Sequence, residues 1–454
     1  MRAVARPADR HVPAPTATTA LYTDHYELTM LTGAVRAGVA EHRCVFEVFC
    51  RRLPHGRRYG VLAGVGRLVE ALQRYRFGGE ELAWLVEAGV VDAATAGWLE
   101  DRPLRVTVSG YADGEPYFPG SPVLTVEGAF GDAVLLETLL LSVLNHDAAI
   151  AAAAARMVSA AGGRGLLEMG SRRTHEEAAV AAAAAAYLTG FRATSNLAAG
   201  ARYGIPTLGT AAHAFTLLFP DERSAFAAQI AVLGAGTTLL VDTYDVETAI
   251  GTAVEVAGPG LGAVRIDSGD LADSARLARR LLDELGAPET GIVLTGDLDE
   301  HAIARLADGP ATGFGVGTHL VTGSGAPTAE FVYKMVATAD RADADAPLRP
   351  VAKRSAEKTT VGGRKRAWRE RDGDGTATAE VVVDDPEARP PAGARELQVP
   401  LLVDGEARGA GPAADLPAAR EHHRLAMAEL PPEALRLDDG PPAIPTRRAA
   451  TRPA

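Results

Sequence analysis

Cysteine is scarce in this chain of 454 residues, and the only two, Cys44 and Cys50, lie within one predicted strand. Two cysteines are too few for a disulfide framework, and no histidine or further cysteine stands near them at the spacing of a zinc site. The sequence therefore excludes a small disulfide scaffold. A reducing, cytoplasmic location is expected.

Basic residues are also fewer than acidic residues. Lys and Arg number 46 against 58 Asp and Glu, which gives a formal net charge of -12. This balance argues against nucleic acid or an anionic membrane surface as the main partner, because both attract basic proteins. Small anionic substrates remain possible if local arginines and backbone N–H groups hold them.

Long hydrophobic runs are missing as well. The first 20 residues lack the apolar core of a signal peptide, and the alanine run at 148–155 is too short to span a bilayer. We therefore expect no membrane segment. With 47% hydrophobic and 23% charged residues, the chain has the composition of a globular enzyme and is long enough for two domains.

The stretch GAVRIDSGDLADSA, residues 262–275, is the most informative part of the chain. Its apolar start predicts a buried strand, Leu271 onward predicts a helix, and Asp267-Ser268-Gly269-Asp270 is the turn between them. Carboxylates here would accept hydrogen bonds from ribose hydroxyls or hold a divalent cation. An Asp that caps the helix beside a solvated Asp explains the same turn, and the turn alone does not decide between the two.

The same pattern of a short apolar strand with a polar end recurs along the chain. It is found at residues 165–176, 191–196, 207–215, 238–250, 291–300 and 313–320. Repeated strand-helix units with polar residues at the strand carboxyl ends predict a parallel α/β barrel with its site on one rim.

The segments on either side of these repeats have a different pattern. Residues 103–128 contain two β-like runs without room for a helix, and extended segments return after Gly325. Both predict an antiparallel β-sheet domain built from the two ends of the chain. Arg51, Arg52, Arg57 and Arg58 form a basic loop near the start, which is either solvated or an anion site.

These patterns predict five segments. They are a disordered N-terminal extension at 1–19, the N-terminal part of the β-sheet domain with helices at 20–130, a barrel-like catalytic domain at 131–325, the C-terminal part of the sheet domain at 326–435 and a disordered tail at 436–454.

The motifs resemble those of the nicotinate phosphoribosyltransferase family over roughly residues 20–370. They are LYTDHYELTM, VFEVFCRRLP, EMGSRRTHE, ATSNLAAGARYGIPTLGTAAHAF, RIDSGDL, TGDLDE, FGVGTHL and KRSAEKTTVGGRK, in unbroken order. The resemblance implies an irregular α/β barrel packed against an antiparallel sheet domain, and a homodimer with a site completed by the partner subunit.

The implied reaction joins nicotinate to 5-phosphoribosyl 1-diphosphate and couples ATP hydrolysis to it, with Mg²⁺ on the diphosphate. Displacing pyrophosphate from the ribose leaves a cation-like sugar, which nearby negative charge stabilises. By resemblance Asp267 and Asp270 provide that charge, His213 accepts phosphate from ATP, and Tyr22 lines the nicotinate ring. The other implied binding residues are Arg172, Arg173, Ser268, Gly269, Asp297, Gly315, Gly317 and Thr318.

The chain departs from the family pattern at a few positions. Ala214 replaces a usual serine, and the run Ala151 to Ala155 lacks a usual lysine, for which Arg156 is a substitute. A nicotinamide enzyme would carry an acidic residue at about Ala211, so alanine there favours a carboxylate substrate. A nicotinamide or quinolinate phosphoribosyltransferase, or a non-catalytic nucleotide-sensing barrel, remains the alternative.

Overall fold

The computed structural model describes residues 18–341, 343, 345–353, 361–385, 387–409 and 412–449, apart from the side chains of 412–414. Most of the predicted N-terminal extension and most of the KRSAEKTT motif lie outside the described residues.

Nineteen strands occur in the described residues. In chain order they are β1 (Arg43–Cys50), β2 (Gly60–Val61), β3 (Thr107–Gly110), β4 (Pro116–Tyr117), β5 (Leu124–Ala129), β6 (Gly165–Glu168), β7 (Ala193–Thr194), β8 (Thr238–Leu240), β9 (Ala263–Ile266), β10 (Gly291–Thr295), β11 (Gly313–Val316), β12 (Phe331–Thr338), β13 (Arg349–Pro350), β14 (Arg366–Arg371), β15 (Ala377–Val383), β16 (Arg395–Glu396), β17 (Val399–Val403), β18 (Glu406–Ala407) and β19 (Thr446–Ala449).

Fifteen α-helices accompany them in the same described ranges. They are α1 (His25–Arg36), α2 (Val65–Gln73), α3 (Gly79–Glu87), α4 (Ala93–Leu99), α5 (Phe130–Val134), α6 (Glu137–Ala160), α7 (Glu176–Thr189), α8 (Leu197–Tyr203), α9 (His213–Leu218), α10 (Glu222–Leu233), α11 (Val246–Ala257), α12 (Leu271–Glu284), α13 (Glu300–Ala307), α14 (Thr318–Val321) and α15 (Pro412–Ala428).

Contacts between residues divide the chain into two compact units. The parallel unit comprises residues 153–325, and the antiparallel unit comprises the described residues up to 152 and from 326 onward. The sequence placed the first boundary at residue 131, and this was wrong. The reason is packing: α5 and the first half of α6 bury Ala133, Leu140 and Leu144 in the same core as β1 and β12 of the antiparallel unit.

The antiparallel unit contains a seven-stranded sheet with the order β13-β12-β1-β5-β3-β17-β18. Its interior strand β1 pairs antiparallel with β5 on one side and β12 on the other, so that Phe46 lies opposite Val126 and Met335. Strands from both chain ends therefore share one sheet, as the sequence predicted. Cys44 and Cys50 both lie on β1, buried and free.

The tail of the chain is more ordered than its composition indicated. The prediction of a disordered tail from residue 436 was wrong for β19, which pairs parallel with β15 in a four-stranded sheet of order β16-β14-β15-β19. Just before it, Ile444 is only 2% exposed. The burial of such isolated apolar residues against distant strands stabilises a segment rich in Pro and Arg, and its local sequence does not reveal this.

The parallel unit is built on a six-stranded parallel sheet with the order β7-β6-β11-β10-β9-β8. Each strand is short, mostly buried and followed by a helix or a turn, which confirms the predicted mixed α/β architecture. The sheet is open, because within residues 153–325 no strand pairing joins its two edge strands, β7 and β8. The third predicted strand, within 207–215, contributes only a single bridge, from Thr207 to Thr194.

One helix among the described residues, α6, is long and apolar enough to cross a membrane by length and composition. In its most apolar window, 72% of the residues are buried inside the protein. This burial is typical of a core helix.

Candidate active site

The carboxyl ends of six parallel strands meet at one edge of the parallel sheet, and a polar turn follows each of them. We call this edge the rim. Its turns are residues 169–175, 195–196, 241–245, 267–270, 296–299 and 317–318. The sequence predicted that polar side chains would gather at such an edge, and hydrogen bonds join the six turns in three neighbouring pairs.

Asp267 follows β9 and has two partners on its Oδ1 atom. It accepts hydrogen bonds from the Thr295 hydroxyl and from Arg265 Nη2, the latter at 3.1 Å. Partial burial opposes ionisation of Asp267, but these hydrogen bonds and the Arg265 charge outweigh it and lower its pKa. Asp267 is therefore a fixed negative charge at the rim near neutral pH.

Asp270 closes the same turn and caps α12. Its Oδ1 accepts from the backbone N–H of Asp273 at 3.0 Å, so the capping interpretation of this residue is correct. Ser268, Gly269 and Asp270 are all exposed, which leaves them open to a ligand. Gly269 has φ near +79°, a conformation that glycine adopts without strain.

Asp242, in the turn after β8, is a site residue that sequence reasoning missed. Its Oδ2 accepts from the Asp267 backbone N–H and from the Ser268 hydroxyl, both at 2.8 Å. Its side chain is only 4% exposed, and its Oδ1 has no hydrogen-bond partner among the described residues. Asp242 has the same strand-end position as Asp267, and this position was the signal that could have identified it.

His213 is the first residue of α9 and lies beside the β8 turn. Its Nδ1 is 3.1 Å from the Thr243 hydroxyl, and its Nε2 is 3.9 Å from the unpartnered Oδ1 of Asp242. The imidazole is 42% exposed. The ring is thus held on one side by buried polar groups and is open to solvent on the other.

Arg265 is the second residue that the sequence analysis missed. It is a charged residue in the middle of the otherwise apolar strand β9, and its side chain is 13% exposed. Its Nε donates to the Thr295 hydroxyl at 3.0 Å, and its Nη1 donates to the Thr210 hydroxyl at 3.2 Å. Arg265 therefore ties Asp267 to the loop that leads into His213.

The turns after β10 and β11 also meet. Thr318 donates from its hydroxyl to Asp297 Oδ1 at 3.4 Å, and Asp297 has φ near +41°, which is unusual for a residue other than glycine. Gly317 lies in the turn beside Thr318. Gly315 lies inside β11 and not in the turn. A Cβ atom at this position would lie 2.6 Å from Thr295 Cγ2, so the strand has room only for glycine here.

Arg172 and Arg173 are exposed in the turn after β6. Neither forms an ion pair with Glu176 or Glu177, so a surface salt bridge does not account for this double arginine. The preceding strand ends at Glu168, which is fully buried, and Ser171 accepts a hydrogen bond from Asn196 Nδ2 at 3.0 Å.

Other predicted basic contacts are already paired. Arg156 is buried, and its Nε donates to Glu300 at 2.9 Å, so it does not replace the missing lysine as a free cation. In the antiparallel unit Arg52 pairs with Glu330 and Arg58 pairs with Asp438, and Arg57 is buried. Tyr22 belongs to the antiparallel unit, just before α1, and its side chain is 66% exposed.

In the described parts of the chain, no group of three or more His, Cys, Asp or Glu side chains is arranged to hold a metal ion. The rim therefore offers single carboxylates and pairs of them. Such a donor set suits Mg²⁺ that is bound mainly through the oxygens of a ligand.

The fold and the rim together place the chain in a class of α/β proteins with two units. In this class the candidate ligand site lies at the edge where the strands of a parallel sheet end. Residues 21–145 match the family model described as the nicotinate phosphoribosyltransferase (NAPRTase) N-terminal domain. The nicotinate phosphoribosyltransferase pncB1 of Mycobacterium tuberculosis is 55% identical over 94% of this chain and 94% of its own. The chain belongs to the nicotinate phosphoribosyltransferase family.

Solved structures agree with this assignment. Human nicotinic acid phosphoribosyltransferase is similar with a TM-score of 0.77 at 26% identity, over 94% of this chain and 97% of its own. A nicotinate-nucleotide pyrophosphorylase from Pyrococcus furiosus has a TM-score of 0.75 at 24% identity, over 93% and 98% of the two chains, and shares the fold.

Proposed function

We propose that the protein is a nicotinate phosphoribosyltransferase, which joins nicotinate to 5-phosphoribosyl 1-diphosphate and releases pyrophosphate. Nicotinate mononucleotide, the other product, would enter NAD biosynthesis and salvage. The observation that carries the proposal is the 55% identity to a relative of that name over 94% of both chains. The geometry of the rim supplies groups that this reaction needs.

Asp267 and Asp270 act on the sugar in this proposal. The bond from ribose C1 to the diphosphate oxygen breaks, and the ring nitrogen of nicotinate forms the new bond to C1. Positive charge on the ribose rises in between, and a carboxylate that is already ionised and held in place stabilises it without reorganisation. The lowered pKa of Asp267 and the exposed position of Asp270 both support these roles.

Gly317 and Thr318 provide backbone N–H groups for the 5-phosphate, and Ser268, Gly269 and Asp297 contact the ribose or its substituents. Gly315 supports this surface from within β11. Exposed carboxylates such as Asp270 and Asp297 would help to hold Mg²⁺, which would neutralise the leaving diphosphate. Single carboxylates suit an ion that is bound mainly through the oxygens of a ligand.

Nicotinate is flat and carries one carboxylate. Arg172 or Arg173 would bind that carboxylate, since both guanidinium groups are exposed and Arg matches carboxylate geometry. Tyr22 would line or stack on the ring. Alanine at position 211 adds no negative charge that would repel an acid substrate.

ATP enters this proposal through His213. If Nδ1–H donates to the Thr243 hydroxyl, Nε2 keeps its lone pair and is the nucleophilic nitrogen. Nε2 then bonds to the γ-phosphorus while the bond from that phosphorus to the bridging oxygen breaks, and ADP leaves. Asp242, 3.9 Å from Nε2, orients the ring and balances its charge.

We also propose that the six-stranded parallel sheet is part of an irregular barrel and that two copies of the chain form a homodimer. Exposed apolar side chains support the dimer: Leu217 and Leu218 on α9 and Val232 and Leu233 on α10 are each more than half exposed in the single chain. The two helices pack together, and large apolar side chains of this exposure occur at interfaces.

The decisive experiment measures pyrophosphate release with nicotinate, nicotinamide and quinolinate in parallel, each with 5-phosphoribosyl 1-diphosphate and Mg²⁺. We expect turnover with nicotinate and little with the other two. Faster release with nicotinamide or quinolinate would assign a different substrate. A protein that is inactive with all three, yet binds nucleotides, would be a non-catalytic member of the family.

A further inference from the structure

Glu168 is the last residue of β6 and the most deeply buried acid of the parallel sheet. It is 0% exposed, and burial raises its pKa, although hydrogen bonds to the carboxylate offset part of this effect. In the described residues, no Lys, Arg or His forms an ion pair with it. A buried carboxylate without a countercharge is costly, so its hydrogen bonds must serve the structure or the function.

Those hydrogen bonds join two turns of the rim. Glu168 Oε1 accepts from the backbone N–H of Gly170, which opens the turn carrying Arg172 and Arg173. Glu168 Oε2 accepts from the Thr194 hydroxyl at the end of β7. The backbone oxygen of Glu168 also accepts from Ser195 N–H at 2.8 Å.

A second connection completes a closed ring of contacts. The Thr194 hydroxyl accepts from the Asn196 backbone N–H at 2.9 Å, and Asn196 Nδ2 donates to the Ser171 hydroxyl at 3.0 Å. The ring runs from Glu168 through Gly170 and Ser171 to Asn196 and Thr194, and then back to Glu168. Both turns are thus fixed at two points each.

Gly170 is closely packed in this arrangement. A Cβ atom at Gly170 would lie 2.2 Å from Val321 Cγ1 and 3.2 Å from the Gly317 carbonyl oxygen. The turn is therefore packed between Glu168 on one side and the β11 end on the other. Any shift of the Glu168 carboxylate moves the backbone that carries the two arginines.

We propose that Glu168 is a positioning residue that fixes Arg172 and Arg173 for the carboxylate of nicotinate. This inference rests on the proposed function. Glu168 touches no substrate: it acts through the turn. Because a displacement of about 1 Å in a binding group can cost on the order of a hundredfold in rate or affinity, the kinetic effect should be large and specific to nicotinate.

The side chain must be a carboxylate for a chemical reason. A carboxylate accepts from the Gly170 N–H and the Thr194 hydroxyl at once. A glutamine oxygen can still accept from the Gly170 N–H, but its NH2 group can keep the Thr194 contact only with the hydrogen bond reversed. Glu168→Gln should therefore disturb the turns less than Glu168→Ala, which removes both contacts.

The test compares steady-state kinetics of Glu168→Ala and Glu168→Gln with wild type, varying nicotinate and 5-phosphoribosyl 1-diphosphate separately. For Glu168→Ala we expect the nicotinate KM to rise on the order of tenfold to a hundredfold, and the KM of the other substrate to change less than about threefold. Glu168→Gln should be intermediate. Thr194→Val, which removes the hydroxyl donor, should raise the nicotinate KM as well and carries the test if Glu168→Ala fails to fold.

Glu300→Gln is the matched control, because Glu300 is another buried acid of the parallel unit but pairs with Arg156 and, within residues 153–325, has no hydrogen bond to the turn of the two arginines. It should lower Tm without a selective rise in the nicotinate KM. If the KM values of both substrates rise equally in the Glu168 variants, Glu168 has only a structural role. The same conclusion follows if Glu300→Gln raises the nicotinate KM as much as the Glu168 variants do. If the wild-type protein is active and the Glu168 variants have the same nicotinate KM, only the positioning role is overturned. If the wild-type protein is inactive with nicotinate, the proposed function is overturned as well.

Discussion

Among single residues, His213 would separate, in the proposed function, two reactions that share one site. Phosphoribosyl transfer needs the leaving pyrophosphate and the aspartates, whereas coupling to ATP needs a nucleophilic nitrogen. The imidazole is exposed on one side and held by Thr243 and Asp242 on the other, which suits a phosphate acceptor.

We therefore predict that His213→Ala keeps slow formation of nicotinate mononucleotide without ATP and loses the gain that ATP gives. A phosphorylated state can favour substrate binding only through a population shift, so its loss should not abolish transfer. Labelled ATP should give an acid-labile phosphoenzyme in wild type and none in the variant. Labelling of the variant would mean that another residue takes the phosphate.

His423 allows a prediction about stability at the same scale. It is 5% exposed, its Nδ1–H donates to the Gly114 carbonyl at 2.8 Å, and burial lowers its pKa to about 4 despite the nearby Glu115 carboxylate. The unfolded chain binds a proton near pH 6.5, so stability contributed by neutral His423 is present above that pH and is lost as pH falls towards 4. The loss is about 3 kcal/mol at pH 4.

Urea unfolding of wild type and His423→Gln at pH 7 and pH 4 measures this effect. The variant should be less stable at pH 7 but should lose about 3 kcal/mol less on acidification. His301→Gln, at an exposed position, should follow wild type at both pH values. Parallel pH profiles for His423→Gln and wild type would contradict the assignment.

At the scale of secondary-structure elements, Arg369 joins the paired strands β14 and β15 to Glu115 and Pro116, which are far away in sequence. It lies on β14 with its side chain 0% exposed, and its guanidinium donates to Glu115, to the Pro116 carbonyl and to Glu380 on β15, each at 2.8 Å. Tyr111 donates to the other oxygen of Glu380 at 2.7 Å. The strands of the C-terminal sheet are thus tied by charge to the N-terminal half of the antiparallel unit.

Arg369→Met should lower the free energy of unfolding by about 3 to 5 kcal/mol, because Glu380 would remain buried without its cation. Arg276→Ala breaks an exposed pair with Asp273 and should change stability by less than about 0.5 kcal/mol. Chemical denaturation of both variants provides the comparison. A loss below about 1 kcal/mol in Arg369→Met would show that the network relaxes around the missing charge.

For the whole molecule, the proposed dimer is the property to test. Leu218 and Val232 are 78% and 82% exposed in the single chain, and their helices α9 and α10 pack together in the parallel unit. Replacing both by lysine should destabilise an interface there, because charged residues are depleted from interface cores.

Light scattering should give twice the chain mass of 47.2 kDa for wild type and the single mass for the double variant at micromolar concentration. Leu285→Lys, at an apolar position 43% exposed at the end of α12, should leave the wild-type mass unchanged. A monomeric wild type, or a dimeric double variant, would contradict this placement of the interface.

The sequence alone determined where the six strands of the parallel sheet lie and where the polar turns of the rim follow them. Hydrophobic period and turn chemistry are local, so the turn that holds Asp267 and Asp270 could be placed without a structure. His213 was named from the resemblance to the family. Parallel strands bring their carboxyl ends to one edge, and this made a shared site predictable.

Only the tertiary structure decided which residues touch. The contacts of Asp242 with Asp267 and His213, and of Glu168 with Thr194, join residues that are more than 20 positions apart and carry no joint signal in the sequence. The same reason explains the wrong boundary at 131 and the missed strand β19. Where an apolar helix or a short tail segment packs depends on surfaces formed by distant parts of the chain, and local patterns do not contain that information.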